Sequence, residues 1–253
     1  MKGAGASYSE CMTLPEFILV FGSFVISVFN ASIGPTGGMS LAMIASLLPP
    51  AAVIPIHGAV ESAASGFRTV TSLKHIEWRI PLIFGAGSIT GGICGASISV
   101  NLPHDALQIV IALFILYGVW GPKPAVERKG PWRLPLLGLI TGFASMLGAA
   151  VGALIIAYVG RAIPDRRGVI ATQAACVTFI HGFKLIAFGI LGFAFADYAG
   201  LIAMMIAGTF AGSIVGRYLL DRMNETLFRR LFKVVVTVLA IRMILKGIGV
   251  EGI

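Results

Sequence analysis

Apolar blocks separated by short charged or proline-bearing stretches recur from residue 15 almost to the carboxyl end. Residues 15–33, 52–73, 80–100, 168–191 and 195–220 are blocks near the ~20 residues a helix needs to cross hydrocarbon, with the spans 106–120 and 232–246 somewhat shorter. Met39 to Leu48, Leu134 to Leu147 and the piece ending at Val159 are too short to cross alone. Pro49-Pro50 closes the first of these, because proline cannot continue a helix from that side. The pattern predicts an all-α chain.

The stretch from Asn30 to Ser40 breaks the rule of its surroundings. Asn30-Ala31-Ser32-Ile33-Gly34-Pro35-Thr36-Gly37-Gly38-Met39-Ser40 places three glycines, a proline and small polar side chains inside apolar sequence. In lipid the freed backbone groups would lack partners, so such a break belongs against protein or a water-filled cavity. The expectation is a broken helix whose second half opens at Thr36, Gly37 and Gly38, with free amides at the positive end of a helix dipole. Gly148-Ala149-Ala150-Val151-Gly152 repeats the feature later. Close packing through small residues is the competing explanation.

The two breaks divide the chain into similar halves. Gly34, Gly38 and Pro50 fall on Gly148, Gly152 and Pro164 in one register. Ala86-Gly87, Gly91 and Gly95 match Ala207-Gly208, Gly212 and Gly216. The expected organisation is an amino-terminal tail (1–14), a first membrane repeat (15–120), a basic linker (121–133) and a second repeat (134–253). Each repeat reads as a broken, re-entrant hairpin followed by three transmembrane helices. Three is odd, so the second repeat should be inverted relative to the first. Placing 74–79, 121–133, 161–167 and 221–226 in the cytoplasm gathers the basic loops on one side, as the positive-inside rule requires. Both termini then lie outside.

Composition sharpens this picture. Hydrophobic residues make up 57% and charged residues 12%, and mean hydropathy is +0.92, which excludes a soluble domain. The net charge of +8 sits in short loops and has no aromatic interleaving, so it sets orientation and does not indicate a nucleic-acid partner. The expected location is a bacterial-type plasma membrane, crossed several times. The apolar run from Pro15 has no basic patch before it and should stay in the mature protein. Cys11, Cys94 and Cys176 form no redox or metal spacing. No cofactor is expected, because P-loop, dinucleotide and nucleophile-elbow motifs are missing.

Ionisable residues inside apolar blocks mark candidate chemistry. His57 and Glu61 share a helix face, and Arg68 lies seven residues further on roughly the same one. Gln173, His181 and Lys184 form a second stripe. The expected site is a net-positive cavity at the repeat interface. Asn30, Ser32, Thr36, Gly37, Gly38, Arg68, Ala149, Ala150, Gln173, His181 and Lys184 would bind a small anion there, and His57 and Glu61 would couple it to protons. Structurally, Glu61 could instead pair with Arg68 or His57, and Lys184 could snorkel to the surface. His57 and Glu61 offer two metal ligands without a third, so no metal site is expected. An anion channel, an intramembrane enzyme and a non-transporting subunit stay open beside a secondary transporter. A homodimer is allowed and not required.

The glycine-rich break (Gly34, Gly37, Gly38), its second-half counterpart (Gly148, Gly152), the proline-marked turn and the basic linker resemble the sulfite exporter TauE/SafE family over Pro15 to Gly247. The resemblance implies an integral-membrane permease, by alternating access, for sulfite, sulfonates or related organosulfur anions, and no enzymatic activity. Pro35-Thr36 and the pair His57 and Glu61 depart from the pattern expected of that family.

Overall fold

The structure, a computed structural model, describes residues 12–33, 37–121, 132–149, 151–219 and 225–250. Among these the regular structure is entirely helical. The helices are α1 (Leu14–Ile33), α2 (Gly37–Leu47), α3 (Pro50–Thr71), α4 (Arg79–Asn101), α5 (His104–Trp120), α6 (Arg133–Met146), α7 (Gly152–Ala162), α8 (Arg166–Ile190), α9 (Ala199–Leu219) and α10 (Glu225–Gly247). Each half thus carries five helices among the described residues, although α6, at 14 residues, is shorter than its counterpart α1, at 20.

Local chemistry sets the ends. Thr13 N–H and Thr13 Oγ1 both donate to Glu16 Oε2 at 2.9 Å, so the Glu16 carboxylate caps the start of α1. Pro50 opens α3, where its missing N–H costs nothing. Asp165 accepts from Gly168 N–H at 2.8 Å and caps α8. Gly148 (φ +92°) ends α6 in the left-handed region. Gly148 N–H donates to Ser145 and Ala149 N–H to Ala144 O, which closes the orphan carbonyls of α6. Gly192 and Gly249 cap α8 and α10 in the same way.

Packing of six helices follows a palindrome, which α2 and α7 do not share: α2 packs on α5 and α10, α7 on α8. Six helices lie in the contact order α1–α9–α3–α8–α4–α6, while α5 pairs with α10 against α2. Exchanging the halves maps this order onto its own reverse. The glycine stripes explain the outer pairs. A Cβ at Gly87, Gly91 or Gly95 on α4 would run into the backbone of Pro135, Leu139 or Phe143 on α6, and one at Gly138 or Gly142 into that of Phe84 or Ser88. Gly208 and Gly212 on α9 lie likewise on Val20 and Phe24 of α1. Residue numbers climb together across both seams, so those pairs are parallel. Across α3 and α8 they run oppositely, with His57 on His181 and Thr69 on Thr178. Across α5 and α10, Gln108 Nε2 donates to Met243 O and Trp120 Nε1 to Thr237 Oγ1, which is again antiparallel.

Arg79–Asn101, Arg166–Ile190 and Phe195–Gly216 are long and apolar enough to cross a membrane. At 22 and 23 residues, α3 and α10 have the length, about 33–35 Å. Their charged residues lower the apolar content. In α3 they are Glu61, near the middle of the helix, and Arg68, in its last turn. The lipid-facing side chains are large and apolar: Leu82, Ile89 and Ile93 on α4, and Val234, Val238 and Ile241 on α10, are exposed.

The ends differ in charge. The 72–78 connection packs on the start of α8, where Glu77 N–H donates to Thr172 Oγ1. Lys74, Arg79, Arg133, Arg166 and Arg167 all fall at that basic end. Trp78, Trp120 and Trp132 are exposed there, with Lys233 over the Trp120 ring at 4.9 Å and Arg133 over Trp132 at 5.3 Å. The described ends of the chain, at Met12 and Val250, fall at the opposite end.

Candidate functional site

A cavity of about 400 Å³ lies between α1, α2, α3 and α9. Asn30, Ser40, Glu61 and Arg68 line it, and Thr71, Ser72 and Ile170 carry it to the basic end. Its position follows from the packing. The glycine seam draws α1 onto α9, and α3 presents its polar stripe to the gap left where α1 breaks. Ser40 lies in the first turn of α2, which begins at Gly37 and Gly38, so that helix start borders the cavity. Phe67 and Phe210 meet edge to face at 5.0 Å and form an aromatic rim.

The polar groups are not equal. Ser23 Oγ donates to Leu19 O at 2.7 Å and Ser27 Oγ to Thr209 O at 2.6 Å, so these hydroxyls are spent on helix carbonyls. Ser27 also bonds Ser213 across the α1–α9 seam. Arg68 Nε is buried and has no hydrogen-bond partner among the described residues. The Glu61 carboxylate interacts electrostatically with Arg68 on its own helix and Lys184 on α8.

The sequence stripes are divided between two places. Asn30, Glu61 and Arg68 share the cavity wall. His57, Gln173, His181 and Lys184 are buried and do not line it. His57 and His181 meet edge to face at 5.4 Å. Lys184 is 1% exposed, so it does not snorkel. Its stem crosses Gly58, where an added Cβ would lie 2.8 Å from Lys184 Cδ. The expectation that the amides at Ala149–Val151 face a ligand needs correction at Ala149, whose N–H is used by the α6 cap. Thr36, Ala150 and the side chain of Ser32 lie outside the described residues. Ser40, Thr209 and Phe210 were not legible as lining residues. The signal for α9 was its glycine stripe, since Thr209 directly follows Gly208. Among the described residues, no three His, Cys, Asp or Glu side chains converge to hold a metal.

A bundle of apolar helices around a cation-bearing cavity that reaches one end is an arrangement that suits a membrane permease. The sequence model of the sulfite exporter TauE/SafE family matches residues 19–243. The chain belongs to that family, whose members are transporters and not enzymes. No curated protein and no solved structure matches it.

Proposed function

We propose that this chain is a secondary transporter that carries sulfite or a small organic sulfonate across a bacterial-type plasma membrane by alternating access. The observation that carries the reading is the cavity holding Asn30, Ser40, Glu61 and Arg68 beside the start of α2. A guanidinium with an unused N–H is suited to an oxyanion, which it grips through two parallel bonds. The helix start adds positive dipole. Two inverted repeats agree with the packing directions: corresponding helices α3 and α8, and α5 and α10, meet antiparallel, as a two-fold axis in the membrane plane demands.

The cavity reaches the basic end, which the positive-inside rule assigns to the cytoplasm. This conformation is therefore inward-facing, and both chain ends lie outside. An alkaline phosphatase fused after Ile253 should be active in cells, and a cytoplasmic reporter there inactive; the reverse pattern would refute the orientation.

The test of function is uptake of radiolabelled sulfite into proteoliposomes. Saturable flux, competed by short alkyl sulfonates, is the expected result. Flux equal to that of empty liposomes would overturn the reading, and flux that rises without saturation would replace the transporter with a channel. Glu61 is the coupling group in this scheme, since protonating it removes the one negative charge facing the anion. Glu61→Gln should fold normally and transport at a rate independent of pH, measured against an imposed proton gradient. Wild-type pH dependence in that variant would remove Glu61 from coupling.

A further inference from the structure

A second hollow, of about 220 Å³, opens at the end opposite the cavity. Ile54, Phe188 and Phe193 are among its walls. Glu61 borders the first hollow and Ile54 the second, and both stand on α3 seven residues apart, about 10 Å of helix rise. His57 lies between them on the same helix. On α8, Phe188 borders the second hollow, and Lys184 and His181 are the next ionisable groups back along that helix. The layer between the hollows therefore contains His57, Gly58, His181 and Lys184.

A greasy plug would close such a layer at least cost. Burying an ammonium group and two imidazoles there is expensive unless something repays it. His181 is 7% exposed, and its Nδ1 is buried with no hydrogen-bond partner among the described residues. Lys184 is still more deeply buried, and Glu61 across the interface is the acidic group that acts on it electrostatically. Gly58 has no side chain where the Lys184 stem crosses, and this holds the ammonium within the layer. A buried imidazole nitrogen without a partner beside a buried amine suits an oxyanion.

We propose that His181 and Lys184, with His57 against them, form a second oxyanion station between the two hollows, occupied after the Arg68 cavity as the anion crosses. The inference rests on the anion-transport reading. In the described conformation the station is shut. It becomes accessible when α3 and α8 shift at the His57–His181 contact, and the anion then passes from the guanidinium to the ammonium.

Three measurements test it, with sulfite as the probe. Lys184→Met replaces the ammonium by a group of similar shape, and such replacements of buried charges commonly preserve folding. This variant should bind radiolabelled sulfite in detergent within roughly 3-fold of wild type, because Arg68 is intact, while counterflow in proteoliposomes falls by roughly 50-fold or more. Lys184→Arg should recover at least about a tenth of wild-type counterflow, since it restores the charge. In isotope-labelled protein, the His181 imidazole resonance, assigned by its loss in His181→Gln, should move on saturation with sulfite in wild type and stay fixed in Lys184→Met. Near wild-type counterflow in Lys184→Met, or an unmoved His181 resonance in sulfite-saturated wild type, would overturn the second station while leaving the first. Wild type that binds no sulfite at all would instead bring down the transport reading on which the station depends.

Discussion

Arg68→Met is expected to weaken sulfite binding by roughly 10- to 100-fold, the loss associated with one charge-assisted hydrogen-bonded contact. Arg68 is the cation that lines the cavity, its Nε is buried without a hydrogen-bond partner among the described residues, and it lies two helical turns from Glu61. Methionine keeps much of the stem and removes the fork. The loss should appear equally in equilibrium binding and in the half-saturating concentration for transport. Arg68→Lys should recover only part of it, because an ammonium is a point charge and cannot offer two parallel bonds. The measurement is a titration of radiolabelled sulfite, with thermal stabilisation by sulfite as an independent readout. Unchanged affinity in Arg68→Met would move the binding site out of this cavity.

Gly91→Leu should abolish a monodisperse protein in detergent, and Gly91→Ala should destabilise by about 2–3 kcal/mol, at the upper end of overpacking costs. At Gly91 an added Cβ would overlap the Leu139 carbonyl and lie 2.7 Å from its carbon. Backbone opposes it, so no side chain can rotate away, and the α4–α6 seam must part along its length. Gly66→Ala is the control. A Cβ there meets nothing within 4 Å, and a helix interior gains up to ~1 kcal/mol from losing a glycine. Thermal unfolding followed by size-exclusion would separate the two. Equal melting of Gly91→Ala and Gly66→Ala would show that the seam tolerates separation.

Helix positions were legible because apolar blocks and their breakers are local properties. The Pro49-Pro50 start of α3 and the Gly192 end of α8 follow from proline and glycine chemistry alone. The matched glycines of α4 and α9 announced close packing, and both stripes do meet backbone. Their partners were not legible. Nothing local tells Gly91 that its neighbour is Leu139 in the other half. The site shows the same limit. Helical spacing puts His57, Glu61 and Arg68 on one face, and of these Glu61 and Arg68 line the cavity while His57 does not. It cannot say that His181 and Lys184, equally polar and equally within a span, do not line that wall. The amide of Ala149 illustrates a different limit. A glycine-rich break suggests free N–H groups, but the left-handed turn at Gly148 uses this one to finish the helix before it.

The parallel glycine seams bear on how the molecule moves. Each joins the first helix of one half to the fourth of the other, α1 to α9 and α6 to α4. Sliding along such a seam would drive carbonyls across the ridges between glycines, so in the proposed alternating-access cycle each pair should travel as one stiff plank. The line of shear therefore does not follow the linker that divides the chain in sequence. It runs between planks that each borrow a helix from both halves, with α3 and α8 as the pivot. Probes placed on α1 and α9 should keep their separation through a transport cycle, while probes on α9 and α4 change theirs.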